Sequence, residues 1–172
     1  KRPGRSPNKA IDVTEAFCLL MRRNLAQVVP ASNWPSGIEV QVYRPELAPA
    51  VHRLMQLGYQ HGGGRVPALE IWQQRFETDA EYDPDLCFIA LEADAIVGVC
   101  QCWTSAYIKN LVVHPRARGR GLGRALLLNA FNVFQQRREG YVDLKVLEGN
   151  VRAQQLYERA GMHVVRREPV PV

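Results

Sequence analysis

Apolar residues change their spacing from one stretch of this chain to the next, and the spacing predicts the elements. Val13, Phe17, Leu20, Met21, Leu25 and Val28 recur as on one face of an amphipathic helix. Ahead of them, Lys1 to Lys9 is basic and punctuated by Pro3, Gly4 and Pro7, a composition expected to be disordered. Pro30 to Gly37 reads as a linker, and Ile38 to Tyr43 then alternates apolar and polar as a half-buried strand does. The pattern divides the chain into an N-terminal arm over residues 1–37, carrying one helix and the linker, and a domain over residues 38–172.

Within that domain, Pro45 suits the first turn of a helix, where its missing N–H has no partner to lose, and the helix runs to about Leu57 before Gly58. A second helix is expected over Ala68 to Ala80. Leu86 to Leu91 and Ile96 to Trp103 are strand-like runs joined by Glu92, Ala93 and Asp94, an antiparallel hairpin. Ala106 to Val113 forms a further strand, which Pro115 stops. His114 is read as a residue at that strand's surface end with no chemical role. Arg124 to Arg138 is a mostly apolar helix through Ala125, Leu126, Leu128, Ala130 and Phe131, and Tyr141 to Leu147 is another strand.

Composition narrows the function. A chain of 172 residues suits one domain with a real core; 47% hydrophobic and 23% charged residues lie near globular averages. No apolar run approaches the about 18 residues that span a membrane. The basic N-terminus lacks a signal-peptide pattern, so the protein is expected to be soluble and cytoplasmic. Cys18, Cys87, Cys100 and Cys102 contain no C-x-x-C pair and are expected to be buried free thiols; no metal is expected. Gln60 to Arg65 contains His61, Gly62, Gly63 and Gly64, the letters of a lipase oxyanion loop. The Gly-x-Ser-x-Gly elbow such a hydrolase needs is absent, which excludes that chemistry.

The net charge of +5 suits a polyanionic partner: nucleic acid, a membrane surface or a phosphorylated cofactor. The charge is concentrated. Arg116, Arg118, Arg120 and Arg124 interleave with Gly119, Gly121 and Gly123 between a strand and a helix. A strand, a glycine-rich turn and a helix N-terminus aim several N–H groups and the positive end of a helix dipole at one point, a site for phosphate oxygens. Glycine there permits left-handed backbone angles and close approach to the main chain. The turn is neither a P-loop nor a dinucleotide fingerprint, since Lys and Ser/Thr do not follow its last glycine and its first residue is Arg118.

Leu111 to Pro115 followed by Arg118-Gly119-Arg120-Gly121-Leu122-Gly123 resembles the Gln/Arg-x-x-Gly-x-Gly/Ala signature of the GCN5-related N-acetyltransferase (GNAT) superfamily. Asn150, Ala153, Leu156, Tyr157 and Gly161-Met162 are similar to a second element of that family, Asn-x-x-Ala-x-x-Leu-Tyr-x-x-x-Gly-Phe, with Met162 in place of phenylalanine. The resemblance spans Ile38 to Arg167. It implies an α+β acyl-CoA N-acyltransferase fold: a mixed, mostly antiparallel sheet with helices on both faces, a three-layer sandwich whose cofactor sits where two parallel strands splay.

The resemblance also implies an enzyme that uses acetyl-CoA and transfers the acetyl group to an amine by direct attack in a ternary complex. Leu111, Val112 and Val113 would meet the pantetheine arm and thioester, with main-chain groups of Leu111 and Val113 making the bonds. Amides from Arg118, Gly119, Arg120, Gly121, Leu122, Gly123 and Arg124 would cradle the pyrophosphate. Asn150 would contact pantetheine while also capping its helix. Tyr157 would act as general acid toward the leaving sulfur. Its ordinary pKa near 10 lies within reach of a thiol near 8.5 (both approximate).

Two departures accompany the resemblance. Where some relatives carry a basic carboxylate, this chain has Lys145, or Tyr107, Lys109 and Asn110, so the general base is unassigned; Glu148 is the nearest acid and reads as a solvated strand end. Family domains also finish with a longer C-terminal hairpin, so one strand beside Leu144 and Val146 is expected to be missing. A partner subunit in a homodimer, or the N-terminal arm folding back, is expected to cover that edge. The acceptor, a small-molecule amine or a protein, is not readable. A non-catalytic acyl-CoA sensor remains an alternative. A nucleic-acid module fits less well, because Arg124 to Phe134 is too apolar to lie in a groove.

Overall fold

A computed structural model describes residues 16–59 and 64–171. Its strands are β1 (Phe17–Asn24), β2 (Ile38–Val42), β3 (Cys87–Glu92), β4 (Ala95–Trp103), β5 (Tyr107–Val113), β6 (Tyr141–Leu147) and β7 (His163–Pro169). Its α-helices are α1 (Ala48–Gly58), α2 (Leu69–Glu77), α3 (Leu122–Gln136) and α4 (Val151–Arg159). The strands form one sheet in the order β2-β3-β4-β5-β6-β1-β7. Only β5 and β6 run parallel. Helices α1 and α2 pack on one face through Val51, Leu54, Met55 and Phe76, against Ile89, Val99 and Val112. On the other face α3 buries Leu126, Leu127 and Phe131 over Met21, Val97 and Leu144, and Leu156 of α4 packs beside them. This is the α+β sandwich that the family resemblance implied.

The segment read as an amphipathic helix from Val13 to Val28 is instead strand β1, with Val13 outside the described residues, as is the stretch from Lys1 to Lys9. The reason is burial on both faces. Cys18, Leu19, Leu20 and Met21 are successive and all buried, which only a strand inside a covered sheet permits. Strand β1 lies between β6, with Cys18 opposite Leu147 and Asn24 opposite Tyr141, and β7, with Phe17 opposite Pro169. The edge of β6 that was expected to lack a strand is therefore filled by the N-terminal arm, one of the two expected solutions, and the sheet begins at Phe17 rather than Ile38. Arg22 fixes the register, its Nε and Nη2 donating to the Asp143 carboxylate at 2.8 and 2.9 Å.

The remaining boundaries move by a few residues for local reasons. A 3-10 turn over Pro45–Leu47 leads into α1. Helix α2 stops at Glu77, where the Thr78 hydroxyl donates to Gln74 O at 2.7 Å. Ala93 and Asp94 both adopt positive φ, 48° and 65°, the two-residue turn that matches the twist of the β3–β4 hairpin. All four cysteines are buried and free. Among the described residues no helix is long and apolar enough to cross a membrane.

Beyond α4, Arg23 of β1 crosses beneath the chain at Gly161 with 7% of its surface exposed. Its Nη1 donates to Ala160 O at 3.2 Å and its Nη2 to Val28 O at 2.8 Å, while Nε has no partner among the described residues. A buried arginine held by two carbonyl oxygens, with its guanidinium 5.9 Å from the Phe131 ring centroid, ties the end of α4 to the N-terminal strand.

Candidate active site

Strands β5 and β6 pair only at their starts, Tyr107 with Asp143 and Ile108 with Leu144, and then part. A bulge contributes: Gln101 opposes Asn110 while Cys102 opposes Ile108, so Lys109 is the extra residue of β5. Between the diverging ends lies a cleft of about 1260 Å³. The ladder determines which main-chain groups face it. His114 N–H donates to Val97 O at 2.8 Å, so alternation turns Val112 toward β4 and leaves Leu111 and Val113 pointing to β6, where no partner follows Leu144. Val113 O accepts a long contact from Arg118 Nε at 3.4 Å.

The glycine turn closes one end of the cleft. Gly119 and Gly121 have φ of +76° and +83°, and a Cβ on either would meet nothing within 4 Å. These glycines serve conformation and leave the main chain open to a ligand. Gly121 precedes α3 in the left-handed region, which is why the helix starts at Leu122, two residues before the sequence reading. Leu111, Val112, Val113, Arg118, Gly119, Gly121, Leu122, Gly123, Arg124, Asn150 and Tyr157 all line the cleft. Arg120 alone of the expected set is absent from the lining; its side chain turns away to pair with Glu92 at 2.7 Å. Arg118, Arg124, Arg152 and Arg159 face the cleft against one carboxylate, Glu148, a charge balance suited to phosphates.

Asn150 caps α4, its Oδ1 accepting from Ala153 N at 3.2 Å. Tyr157 lines the cleft from the same helix. Burial, with smaller effects from the Cys100 thiol and the Tyr59 phenol, pushes its pKa up to about 12.

Residues 49–162 match the acetyltransferase (GNAT) family. This chain belongs to that family. A mycothiol acetyltransferase of Thermobispora bispora is 29% identical over 157 residues, 82% of this chain and 52% of that protein. Another, from Beutenbergia cavernae, is 34% identical over 91 residues, 49% of this chain and 31% of that protein. Among solved structures, a GCN5-related N-acetyltransferase from Sphaerobacter thermophilus superposes with a TM-score of 0.76 at 31% identity, over 90% of this chain and 50% of that one. The chain spans about half the length of the first of these curated relatives, and less of the second.

Positions where a GNAT base was sought hold other chemistry. Lys145 pairs with Glu168 of β7 at 2.5 Å. Glu148 receives Nε and Nη2 of Arg167 at 2.7 and 3.0 Å, which lowers its pKa and turns it toward β7. Tyr107 is half-buried, and desolvation raises its pKa. Lys109 and Asn110 face a second pocket, of about 440 Å³, between α2 and the ends of β4 and β5. From the glycine-rich loop after α1, Gly64 to Pro67 lines this pocket, and Gln60 to Gly63 lies outside the described residues.

Sequence reasoning missed Tyr59 and Gln101. The Tyr59 phenol donates to Asn110 Oδ1, and Asn110 Nδ2 donates to Gln101 Oε1 at 2.8 Å. Gly58 and Leu111 line the cleft while their neighbours Tyr59 and Asn110 line the pocket, so the two cavities abut at this chain of polar groups. Nothing in the spacing of apolar residues marks Tyr59; its one local sign is its place just after the helix-ending Gly58.

Proposed function

We propose that this GNAT domain transfers an acetyl group from acetyl-CoA to an amine by direct attack, with both substrates bound together. The observation that carries the reading is the cleft where β5 leaves β6, with the main-chain N–H groups of Leu111 and Val113 facing it from one wall and the open Gly119–Gly123 turn at its end. The residues fit the cofactor: the turn has room for a pyrophosphate against the main chain, and the arginines supply countercharge. Acetyl-CoA, when bound, supplies an activated thioester. A C–N bond forms as the C–S bond breaks, the electron pair leaves on sulfur, and the amine releases one proton.

In this reading the main-chain N–H groups of Leu111 and Val113 would hold the pantetheine arm and polarise the thioester carbonyl. Amides from Arg118 to Arg124 would hold the pyrophosphate, including that of Arg120, whose side chain is otherwise engaged. Asn150 keeps its Nδ2 for pantetheine. Tyr157 donates a hydrogen bond to the departing sulfur. A phenol at about 12 holds its proton more tightly than a thiol near about 8.5. It therefore stabilises the thiolate as a donor, and the thiolate's own proton comes from solvent.

Calorimetric titration with acetyl-CoA tests this reading. Micromolar binding by the unaltered protein, lost in Gly121→Val with its circular dichroism unchanged, supports the site; a protein that does not bind acetyl-CoA overturns it. Because no carboxylate faces the cleft unpaired among the described residues, binding with no transfer to any amine would favour the acyl-CoA sensor.

A further inference from the structure

The 440 Å³ pocket carries a charge pattern of its own. Trp72, Phe76, Met55 and Trp103 give it an apolar, largely aromatic wall. Arg65, Arg75 and Lys109 also line it, from three separate parts of the chain, and none of them forms an ion pair among the described residues. Lys109 Nζ stands 4.8 Å over the Trp103 ring, which holds its charge at the pocket rather than in solvent. Asp79 is the one carboxylate in the lining, and its Oδ1 already accepts Glu81 N–H at 2.8 Å in a local turn. Five other arginines, Arg22, Arg120, Arg137, Arg166 and Arg167, meet carboxylates, whereas Arg118, Arg124, Arg152 and Arg159 on the cleft form no ion pair among the described residues, so both cavities present cations open to an anion.

Unpaired cations around an aromatic wall select for an anion attached to an apolar body. Resting on the acetyltransferase reading above, we propose that the acceptor is a primary amine carrying a carboxylate and an apolar or aromatic body, of amino-acid type. Its carboxylate lies among Arg65, Arg75 and Lys109, its body lies on Trp72 and Trp103, and its amine points to the Tyr59–Asn110 junction with the cleft. Polycationic amines are rejected by the same three charges.

The pattern also accounts for the missing base. An ammonium entering the pocket meets Arg65 before α2, Arg75 on α2 and Lys109 on β5, opposed by Asp79 after α2, with the neutral phenols of Tyr59 and Tyr157 at the junction. The acceptor's own carboxylate cancels one more positive charge, and the excess that remains lowers the pKa of the bound ammonium. The neutral amine is then populated near neutral pH without a carboxylate to take its proton.

The test is steady-state acetyl transfer with L-phenylalanine, L-phenylalaninamide and spermidine, beside calorimetry of acetyl-CoA binding. The acid is expected to exceed its amide in kcat/KM by about tenfold or more, the scale of one lost charged hydrogen bond, and spermidine to be the poorest acceptor. Arg75→Gln and Lys109→Gln should each raise KM for the acid about tenfold, leave that of the amide unchanged, and move the acidic limb of kcat to higher pH. Arg75→Lys should recover part of the loss. Equal turnover of acid and amide, preference for spermidine, or variants that weaken acid and amide alike would overturn the proposal. So would transfer to none of the three by a protein that binds acetyl-CoA, which spares the cofactor site; failure to bind acetyl-CoA would instead remove the reading on which the proposal rests.

Discussion

Replacing Gly161 by alanine should be costly out of proportion to one methyl group, and the cause can be isolated. A Cβ at this position would overlap Arg23 Nη1 and stand 2.9 Å from its Cζ. An exposed arginine would swing aside, but this one is buried and holds Ala160 O and Val28 O. Displacing it sacrifices a hydrogen bond from a charged donor, worth about 1.5–3 kcal/mol. Gly161 also has φ of +91°, which costs a residue with a Cβ about 1–2 kcal/mol more. The expected destabilisation is about 2.5–5 kcal/mol, a large part of the about 5–15 kcal/mol that holds a domain together. Urea unfolding of Gly161→Ala, Arg23→Met, the double variant and the unaltered protein closes a double-mutant cycle. Once Arg23→Met has removed the guanidinium only the backbone strain remains, so alanine should then cost about 1–2 kcal/mol. An equal cost in both backgrounds, to within about 0.5 kcal/mol, would refute the clash and leave φ alone responsible.

Three further outcomes are expected. A protein starting at Ser36 loses Leu19, Leu20, Met21, Leu25 and Val29 from the core, at about 1.5–3 kcal/mol each, and should not fold; a soluble monomer with native near-UV circular dichroism would contradict the role given to β1. Tyr157→Phe removes a hydrogen-bond donor to the developing thiolate and should lower kcat about a hundredfold while acetyl-CoA affinity is kept; an equal loss of affinity would reduce the phenol to a packing group. Burial raises the pKa of Tyr43, Tyr59, Tyr82, Tyr107 and Tyr157, so the unfolded chain ionises first as pH climbs. The stability these groups contribute is full below about pH 10 and falls as pH rises toward their folded values. Tyrosinate absorbance should therefore appear together with loss of circular dichroism; an intact fold with these five ionised near about pH 10 would count against the burial.

The parts of this protein that can be read from sequence are those whose cause is local. The Arg118–Gly123 turn announces itself because the backbone angles it needs restrict the residue type, and the Ala93–Asp94 hairpin follows from two flanking runs. Asn150 and Gly161 bracket α4 for reasons that a single helix supplies, one as a cap and one as a left-handed exit over Arg23. Strand β1 escapes such a reading because Phe17 to Met21 is apolar on successive positions, and such a short run fits a helix face or a doubly buried strand equally well; the deciding fact is its pairing with β6 and β7, more than a hundred residues away. The second pocket is equally hidden. Arg65, Arg75 and Lys109 are ordinary surface charges in sequence and acquire meaning only where three elements bring them around Trp72 and Trp103.

The position of β1 sets an order of events at the ribosome. The first described strand of this sheet to emerge has no neighbour until the last two are made, and at about 5–20 residues per second the wait from Phe17 to His163 is roughly 7–30 s. Through that interval the run from Phe17 to Met21 is exposed, uncharged and strand-forming, the kind of segment that pairs with whatever edge is near. Arg22 and Arg23 directly follow it. The same two side chains that later grip Asp143 and the end of α4 are placed to keep the waiting strand from associating with its neighbours on the polysome.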